Sequence, residues 1–386
     1  MRVTYYCQHV LGIGHLHRSL EICRAISREH EVTLILGGPK ADIDATGMTV
    51  LHLPGLQMDQ NFQNMVPCTA GRQLEDVKRE RVELLFSHFN KYHPDNFITE
   101  LYPFGRKAFR FELDPVLSSI QNGSLPSCQC YCSVRDILVE KQQGREKFEK
   151  RVVKTLNDYF SGVLIHSDPS VLMLEKTFDR IEDITIPLSY TGFVSRSHSS
   201  LPDRQIRQNL ELTPNTSLIV ASIGGGNVGG ELLLAVIEAS RFFPASKKFH
   251  LQIFYGPYCN SVLYEELLAR SSENISVDKF SDIFPEWLEA ADLSISMGGY
   301  NSCMNVLKAG VPALIYPFRQ NREQEMRGLA LEKTGNIRLI SGQDLSPEVL
   351  IDKITSMLEA DRTPTAINLD GARQTLNQLN HWQNNR

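Results

Sequence analysis

The chain has 386 residues, of which 42% are hydrophobic and 22% are charged, and its formal net charge is −5. This length exceeds one typical hydrophobic core and predicts two domains, while the acidic balance argues against nucleic acid as the main partner. No apolar run approaches the ~18 residues that a membrane-spanning helix needs.

Cysteine usage and the start of the chain both favour a cytoplasmic protein. The 8 cysteines lack the paired spacing of a zinc site, and Cys128, Cys130 and Cys132 alternate along a predicted strand, so their thiols cannot converge on one metal. A strand is predicted from the third residue, which leaves no room for a targeting segment. We therefore expect buried, reduced thiols in the cytoplasm.

The first predicted elements form a βαβ unit: strand Val3–Cys7, helix Leu16–Arg28 and strand Val32–Leu36. The loop between the first strand and the helix carries two glycines, as in a dinucleotide-binding fold. The third glycine of that fingerprint is missing, since His17 stands at its position, and no clear acidic residue closes the next strand. The sequence therefore argues against a nicotinamide cofactor.

The pattern from Gly12 to Arg18 places His15 at the start of this helix, where the first strand ends. The positive end of a helix disfavours a charged imidazole, so His15 is expected to stay neutral and able to accept a proton. A single histidine more commonly caps or packs, so a catalytic base and a packing residue remain the two interpretations.

Polar residues also follow a later strand of the first half. Glu100 comes directly after the strand Asn96–Thr99, at the edge where open α/β sheets place ligands. Arg106 and Arg110 lie one helical turn apart and could bind an anionic group or pair with Glu112. No regular structure is predicted for Pro54–Gly71. Further strands are predicted at Thr49–Leu53, Cys128–Cys132 and Gly162–His166, and further helices at Arg72–Tyr92, Leu113–Ile120 and Arg145–Phe160.

A short polar segment, Ser195–Asp203, indicates a linker. Beyond it, the strand Ser217–Ile223 leads into Gly224–Gly230, which contains five glycines in seven residues and opens a helix. So many glycines favour close approach of a ligand to the backbone, at Gly225, Gly226 and Asn227 in particular. No Gly-Lys-Ser/Thr follows, which excludes a Walker loop.

The segment Leu293–Glu325 holds a second βαβ unit. Its first strand ends at Gly298 and Gly299, and the helix that follows carries Asn301 and Ser302 in its first turn. Glycine backbone and a helix N-terminus together suit a phosphate or diphosphate, although a capped tight turn would look the same. The polar stretch after the second strand adds side chains that suit sugar hydroxyls: Glu323, Gln324 and Glu325.

This segment resembles the nucleotide-sugar signature of GT-B glycosyltransferases, most closely family 28, which includes the N-acetylglucosaminyltransferase that makes lipid II. It is also similar to the Gly-Trp-Asn-Ser box of the UDP-glycosyltransferases, here Gly299-Tyr300-Asn301-Ser302. The resemblance implies that Asn301 and Ser302 bind the donor phosphates. It places the acidic-Gln pair that holds the sugar on Glu323-Gln324 or on Gln324-Glu325. Met297 replaces a phosphate-binding His. Asn305 replaces the ribose-binding Glu, and as a neutral side chain it can still bond a ribose hydroxyl, so the ribose is expected near it.

The loop that includes Gly12, Gly14 and His15 resembles the first glycine loop of family 28. It is equally similar to the loop of a UDP-sugar hydrolase in which the His is the suspected base. His15 and Glu100 are therefore the catalytic candidates, and Gly14 joins the binding residues. In family 28 a loop of the first domain faces a lipid acceptor, so Pro54–Gly71 is either such a loop, with at most peripheral membrane contact, or a plain surface loop.

Together these features predict an α/β protein of two doubly wound, Rossmann-like domains facing a cleft, the GT-B fold. The domains are expected at residues 1–195 and 204–366, and the resemblance implies that a helical tail at 367–386 packs on the first. The predicted activity is transfer of a sugar from a nucleoside diphosphate sugar, with UDP as the expected nucleotide, to an acceptor hydroxyl. Neither a cofactor nor a metal is expected.

Two alternatives use the same fold. A nucleotide-sugar hydrolase or epimerase would replace the acceptor by water or by the sugar's own hydroxyl, and a hydrolase would release free sugar rapidly without an acceptor. A non-catalytic nucleotide-sugar-binding protein would bind the donor tightly and turn nothing over.

Overall fold

The computed structural model of the chain describes residues 1–9, 14–58, 64–138, 144–196, 203–318, 320, 322–333 and 336–385. The chain divides into two compact units, Met1–Val194 with Asn368–Arg386, and Ser195–Ile367. Each unit is an α/β structure built on a parallel sheet. Within the described ranges, no helix is both long and apolar enough to cross a membrane.

The first unit contains a seven-stranded parallel sheet with the order β3-β2-β1-β6-β7-β8-β9. Its strands are β1 (Arg2–Cys7), β2 (Glu31–Leu36), β3 (Thr49–His52), β6 (Asn96–Glu100), β7 (Gln129–Arg135), β8 (Gly162–His166) and β9 (Leu188–Tyr190). The remaining strands, β4 (Leu56–Met58) and β5 (Met65–Pro67), form a separate antiparallel pair. This pair lies within Pro54–Gly71, so the prediction of no regular structure there was wrong.

The helices of the first unit that precede the linker are α1 (Gly14–Ile26), α2 (Leu74–Tyr92), α3 (Arg110–Gln121) and α4 (Arg145–Tyr159). α1 begins before the predicted Leu16, which places His15 inside its first turn. A 3₁₀ turn at Lys107–Phe109 leads directly into α3, so this helix also begins before its predicted start, Leu113.

Both faces of the first sheet are buried. Successive residues of β6 show this, because Phe97 belongs to the core on one face and Ile98 to the core on the other. The free cysteines are mostly buried as well, but Cys68 is exposed and Cys259 is intermediate. The expectation of buried thiols was therefore wrong at these two positions.

The second unit contains a six-stranded parallel sheet with the order β12-β11-β10-β13-β14-β15. Its strands are β10 (Thr216–Ser222), β11 (Lys248–Phe254), β12 (Ile275–Asp278), β13 (Leu293–Met297), β14 (Ala313–Tyr316) and β15 (Ile337–Leu339). Its helices are α5 (Asp203–Asn209), α6 (Gly230–Ser240), α7 (Ser261–Leu268), α8 (Phe284–Ala290), α9 (Tyr300–Ala309), α10 (Arg322–Glu332) and α11 (Pro347–Leu358).

The last helix, α12 (Gly371–Asn384), belongs to the first unit and lies against α1. Trp382 stacks on Tyr131 with ring centroids 4.8 Å apart and an angle of 8° between the planes. The Asn380 side-chain amide forms hydrogen bonds at both of its polar atoms, to His30 at 2.7 Å and to Glu29 at 2.9 Å. Stacking and hydrogen bonds thus hold the C-terminal helix to its own unit.

Each sheet reverses its strand order once. In the first sheet β1 and β6 are neighbours, and the chain continues from β1 to β2 on one side and from β6 to β7 on the other. In the second sheet the same reversal separates β10 from β13. Ligands of open α/β sheets bind at the carboxyl ends of strands at such a reversal.

A buried hydrogen-bonded chain crosses the first sheet beside this reversal. The Tyr5 hydroxyl donates to Ser133 Oγ at 2.9 Å, and His166 bridges Ser133 Oγ at 2.7 Å and Thr191 Oγ1 at 2.9 Å. His166 is completely buried. Burial lowers the pKa of its imidazole to about 3, with the positive charge of Arg18 acting in the same direction.

This histidine predicts a pH dependence of stability. The unfolded chain takes up a proton on His166 near its ordinary pKa of 6.5, whereas the folded chain does so only near about 3. The free energy of unfolding should therefore fall as the pH falls from about 6.5 toward about 3, by about 2 kcal/mol at pH 5 from this residue. Urea unfolding at pH 7 and pH 5 should show a smaller loss for His166→Gln than for the wild type. Equal losses would contradict the assignment.

Candidate active site

The structure brings His15 and Glu100 into direct contact. Glu100 is the last residue of β6, and His15 lies in the first turn of α1, beyond the neighbouring strand β1. Their atoms Nδ1 and Oε1 are 2.6 Å apart. Because an ionised carboxylate only accepts hydrogen bonds, Nδ1 carries the proton and Nε2 is left as a proton acceptor. The sequence predicted both residues but not their contact.

Glu100 is completely buried and surrounded by cations. Arg18 donates to its Oε1 at 2.5 Å, and Arg106 lies 3.5 Å from its Oε2. Burial alone would raise the pKa of this carboxyl, but His15, Arg106 and Arg18 outweigh it and hold the pKa well below its usual range. Glu100 is therefore a carboxylate at any working pH.

Burial also lowers the pKa of His15 to about 4, although the nearby Glu100 carboxylate acts in the opposite direction. The imidazole is neutral at neutral pH, as the sequence predicted from the helix N-terminus, but the main cause is burial. The side chain remains 22% exposed, so part of the ring reaches the surface of the unit. A neutral, oriented imidazole with an accessible edge can act as a general base.

The two other arginines of this region bind different carboxylates. Arg110 pairs with Asp114 at 2.8 Å, while Glu112 is bound by the buried Arg81 at 2.6 Å. Of the two alternatives left open for Arg106 and Arg110, the pairing with Glu112 does not occur, because Glu112 is buried against Arg81. Arg106 has a φ of 53°. Such backbone is uncommon for a non-glycine residue and is found at functional sites.

In the second unit, several glycines are required for packing. At Gly226, with φ 91°, a Cβ would lie 2.5 Å from the Tyr255 carbonyl oxygen. At Gly256, with φ 85°, a Cβ would lie 2.4 Å from the Gly224 carbonyl oxygen. The loop after β10 is thus fitted closely to the loop after β11. Gly225 and Asn227 are exposed, so they remain open to a ligand.

The two predicted phosphate-binding stretches lie at neighbouring strand ends. β10 and β13 are paired, with Ser222 opposite Ser296, so the loop containing Gly225 and the turn before α9 start side by side. A Cβ at Gly229 would meet the sulfur of Met297 at 2.7 Å, which shows how close the loop is to β13. Asn301 and Ser302 are half-buried in the first turn of α9. These residues therefore meet at one place, the strand reversal of the second sheet.

The predicted sugar-binding residues differ in burial and in the contacts that their side chains already make. Glu325 is exposed, and the side-chain oxygen of Gln324 accepts a hydrogen bond from the Phe318 amide at 3.0 Å. Glu323 is almost completely buried and forms an ion pair with Arg327 at 2.8 Å. Of the two alternatives for the acidic-Gln pair, this geometry favours Gln324-Glu325.

The predicted ribose residue, Asn305, is only 6% exposed, and its Oδ1 accepts a hydrogen bond from the Arg196 amide at 3.5 Å. Both residues belong to the second unit.

Gly12 of the first glycine loop lies outside the described residues, as does most of the predicted linker.

Arg327 is the residue that sequence reasoning missed. It is completely buried, and one of its nitrogens donates to the Gly298 carbonyl oxygen at 3.1 Å. The spacing of Glu323 and Arg327, four residues apart on one helix, is that of a helical ion pair and could have indicated the contact.

The described ranges contain no group of three or more His, Cys, Asp and Glu side chains that could hold a metal. An Asp-x-Asp sequence, Asp42 and Asp44, lies in a loop of the first unit. Asp44 accepts hydrogen bonds from Thr46 and lies 3.7 Å from a nitrogen of Arg24. Its carboxylate is therefore engaged by residues of its own unit.

Comparison with known proteins finds a family domain in the second half of the chain. Residues 220–377 match the glycosyltransferase family 28 C-terminal domain. Over 369 residues, which cover 90% of this chain and 87% of the relative, the chain is 23% identical to a protein of Desulforamulus reducens. That relative is UDP-N-acetylglucosamine--N-acetylmuramyl-(pentapeptide) pyrophosphoryl-undecaprenol N-acetylglucosamine transferase. The chain spans about a third of the length of several further glycosyltransferase relatives that it matches.

Solved structures share the fold over almost the whole chain. The calicheamicin glycosyltransferase CalG4 has a TM-score of 0.60 and 14% identity, with coverage of 99% of this chain and 94% of that one. A putative UDP-N-acetylglucosamine 2-epimerase from Listeria monocytogenes has a TM-score of 0.62 and 13% identity, with coverage of 100% and 97%. Together with the two parallel α/β units, these findings identify the chain as a GT-B glycosyltransferase that resembles family 28 and carries the family 28 C-terminal domain.

Proposed function

We propose that this glycosyltransferase takes its sugar from a nucleoside diphosphate sugar, with UDP as the nucleotide, and transfers it to an acceptor hydroxyl. The observation that carries the donor assignment is the meeting of two glycine stretches and the N-terminus of α9 at one strand reversal. The Desulforamulus relative is named for a UDP-sugar donor and a lipid-linked substrate. For an acceptor of that kind, contact with a cytoplasmic membrane surface would be peripheral.

On this proposal, the second unit binds the donor. Backbone amides at Gly225, Gly226 and Gly299 and the side chains of Asn227, Asn301 and Ser302 would surround the diphosphate, which the positive end of α9 stabilises. Gly298 would shape the turn, because its own N–H donates to the Tyr316 carbonyl oxygen at 3.2 Å. Ribose would lie near Asn305. The sugar would lie near Gln324 and Glu325, which share α10.

The first unit supplies the base. His15 Nε2 accepts the proton of the acceptor hydroxyl, whose oxygen forms a bond to the anomeric carbon as the bond from that carbon to the diphosphate breaks. The Glu100 carboxylate, 2.6 Å from Nδ1, stabilises the imidazolium that forms. Gly14, at the start of α1, is the binding residue nearest to this pair in sequence.

Replacing His15 tests this mechanism. His15→Ala should lower kcat by roughly 10²–10⁴-fold, the range for loss of a general base, with little change in the KM for the donor. His88→Ala is a matched control, because burial also lowers the pKa of His88 to about 4, yet its Nε2 bonds Thr4 Oγ1 at 2.8 Å. Near-normal turnover of His15→Ala, measured with purified folded enzyme, would exclude the base role.

A glycine substitution tests the donor assignment. Gly256→Ala would place a Cβ 2.4 Å from the Gly224 carbonyl oxygen and 2.5 Å from the Gly226 amide, so the glycine loop must move. The KM for the donor should rise by about tenfold or more, equivalent to loss of one or two hydrogen bonds.

The control for this variant is Gly123→Ala. Gly123 has a similar φ of 79°, but nothing lies within 4 Å of its added Cβ. Both substitutions cost about 1–2 kcal/mol of backbone strain, and only Gly256→Ala disturbs the donor loops. Equal donor KM values in the two variants would contradict the assignment.

We further propose that transfer needs no divalent metal, since the backbone amides and the N-terminus of α9 would balance the charge of the leaving diphosphate. Initial rates in EDTA should then equal those in magnesium within about twofold, because no step depends on the ion. A loss of activity in EDTA that magnesium or manganese restores would disprove this part of the proposal.

A further inference from the structure

A completely buried arginine lies beneath the proposed phosphate turn. Arg327 of α10 has no exposed surface, and the side chain of Glu323, one helical turn earlier, is 4% exposed and lies 2.8 Å from it. Removing a guanidinium from water is unfavourable unless it is paired and hydrogen-bonded, and such a pair adds little net stability over apolar residues. Stability alone therefore does not account for this pair.

Arg327 contacts the residues on both sides of Gly299. One guanidinium nitrogen donates to the carbonyl oxygen of Gly298 at 3.1 Å. The guanidinium carbon lies 5.4 Å from the centroid of the Tyr300 ring, within cation–π distance. A single side chain thus holds the residues before and after the point at which α9 begins.

The contact at the Gly298 oxygen also sets the direction of the Gly299 N–H. In a trans peptide the carbonyl of one residue and the N–H of the next point in opposite directions. Arg327 holds the Gly298 oxygen toward the interior, so the N–H of Gly299 points away from it. Gly299 is half-buried, and its N–H makes no hydrogen bond to any residue that the structure describes.

We infer that Arg327, with Glu323 as its counter-ion, is a positioning residue that sets the Gly298–Gly299 peptide so that the Gly299 N–H can donate to the donor's diphosphate. This inference rests on the proposed function. Arg327 does not touch the donor. Its role explains why Glu323 is buried and paired, whereas Gln324 and Glu325 are left for the sugar.

The same helix connects both ends of the proposed donor site. Gln324 lies between Glu323 and Arg327 in sequence, and its Cβ would be 3.2 Å from a Cβ at Gly298. A change at Arg327 should therefore alter the phosphate turn first, while the backbone of α10 keeps Gln324 near its place.

The test compares a ligand that has the diphosphate with one that lacks it. The main variant combines Glu323→Leu with Arg327→Met, because replacing a buried ion pair by apolar groups of similar size commonly preserves the fold. Calorimetric titration with UDP should show affinity lowered by about tenfold, the loss expected for one hydrogen bond to a charged group. Affinity for uridine, which has no phosphate, should be unchanged. Arg327→Lys keeps a donor for the Gly298 oxygen, so its affinity for UDP should lie between those of the wild type and the double variant.

Arg207→Met is the matched control. Arg207 belongs to the same unit and also binds backbone carbonyls, of Ala290 at 2.7 Å and of Thr216 at 2.6 Å. It lies at the amino ends of the strands, where it pairs with Asp292 at 3.1 Å. This variant should lower the thermal midpoint without changing the ratio of UDP to uridine affinity. A double variant that is folded and has the wild-type ratio would overturn the inference.

A second readout tracks the amide itself. In ¹⁵N-glycine-labelled protein, UDP should shift the Gly299 resonance of the wild type and not that of the double variant. UDP binding without a Gly299 shift would overturn the positioning role and leave the proposed donor intact. If the wild type binds neither UDP nor uridine, the UDP donor is wrong, and inorganic pyrophosphate then replaces UDP in the same experiment. A Gly299 shift in the wild type that is absent from the double variant would support the inference, and the absence of a shift in the wild type would overturn it.

Discussion

The reversal of strand order within each sheet is the constraint on which the candidate sites depend. Parallel strands need long, right-handed connections, so a chain that fills a sheet outward from the middle in both directions leaves two neighbouring strand ends uncovered. In the first sheet these ends are β1 and β6, which present His15 and Glu100. In the second they are β10 and β13, which present two glycine turns. On the proposed function, the residues at those ends carry the chemistry of each unit.

Both sites rely on an arginine and a glutamate held out of water, but they use the pair differently. In the first unit the proposed mechanism uses the anion, because Glu100 orients His15 while Arg18 and Arg106 keep Glu100 charged. In the second unit the cation acts, because Arg327 holds the Gly298 carbonyl while Glu323 balances its charge. A buried pair contributes little to stability, so its geometric effect is the better explanation for its presence.

Local sequence patterns predicted most helices and strands, whereas contacts between residues far apart in the sequence could not be predicted. The apolar run Leu293–Met297, the glycine pair and Gly310 define β13 and α9 at their observed ends because each signal acts within a few residues. The contact between His15 and Glu100 joins residues 85 apart and depends on β1 lying beside β6, which no local pattern encodes. The true partner of Glu112 stayed out of reach for the same reason, since Arg81 comes from another helix.

The environment of Asn305 shows how the departure from family 28 at this position would change ribose recognition. The resemblance places a ribose-binding Glu at this position, and a carboxylate can only accept hydrogen bonds from the sugar hydroxyls. The oxygen of Asn305 already accepts from the Arg196 amide at 3.5 Å, which leaves its NH₂ group as the donor. A ribose hydroxyl at Asn305 can therefore accept a hydrogen bond from this NH₂ group, which the family's Glu cannot donate. On the proposed function, an uncharged Asn305 leaves more of the donor affinity to the diphosphate, around which the glycine turns, the N-terminus of α9 and Arg327 are grouped.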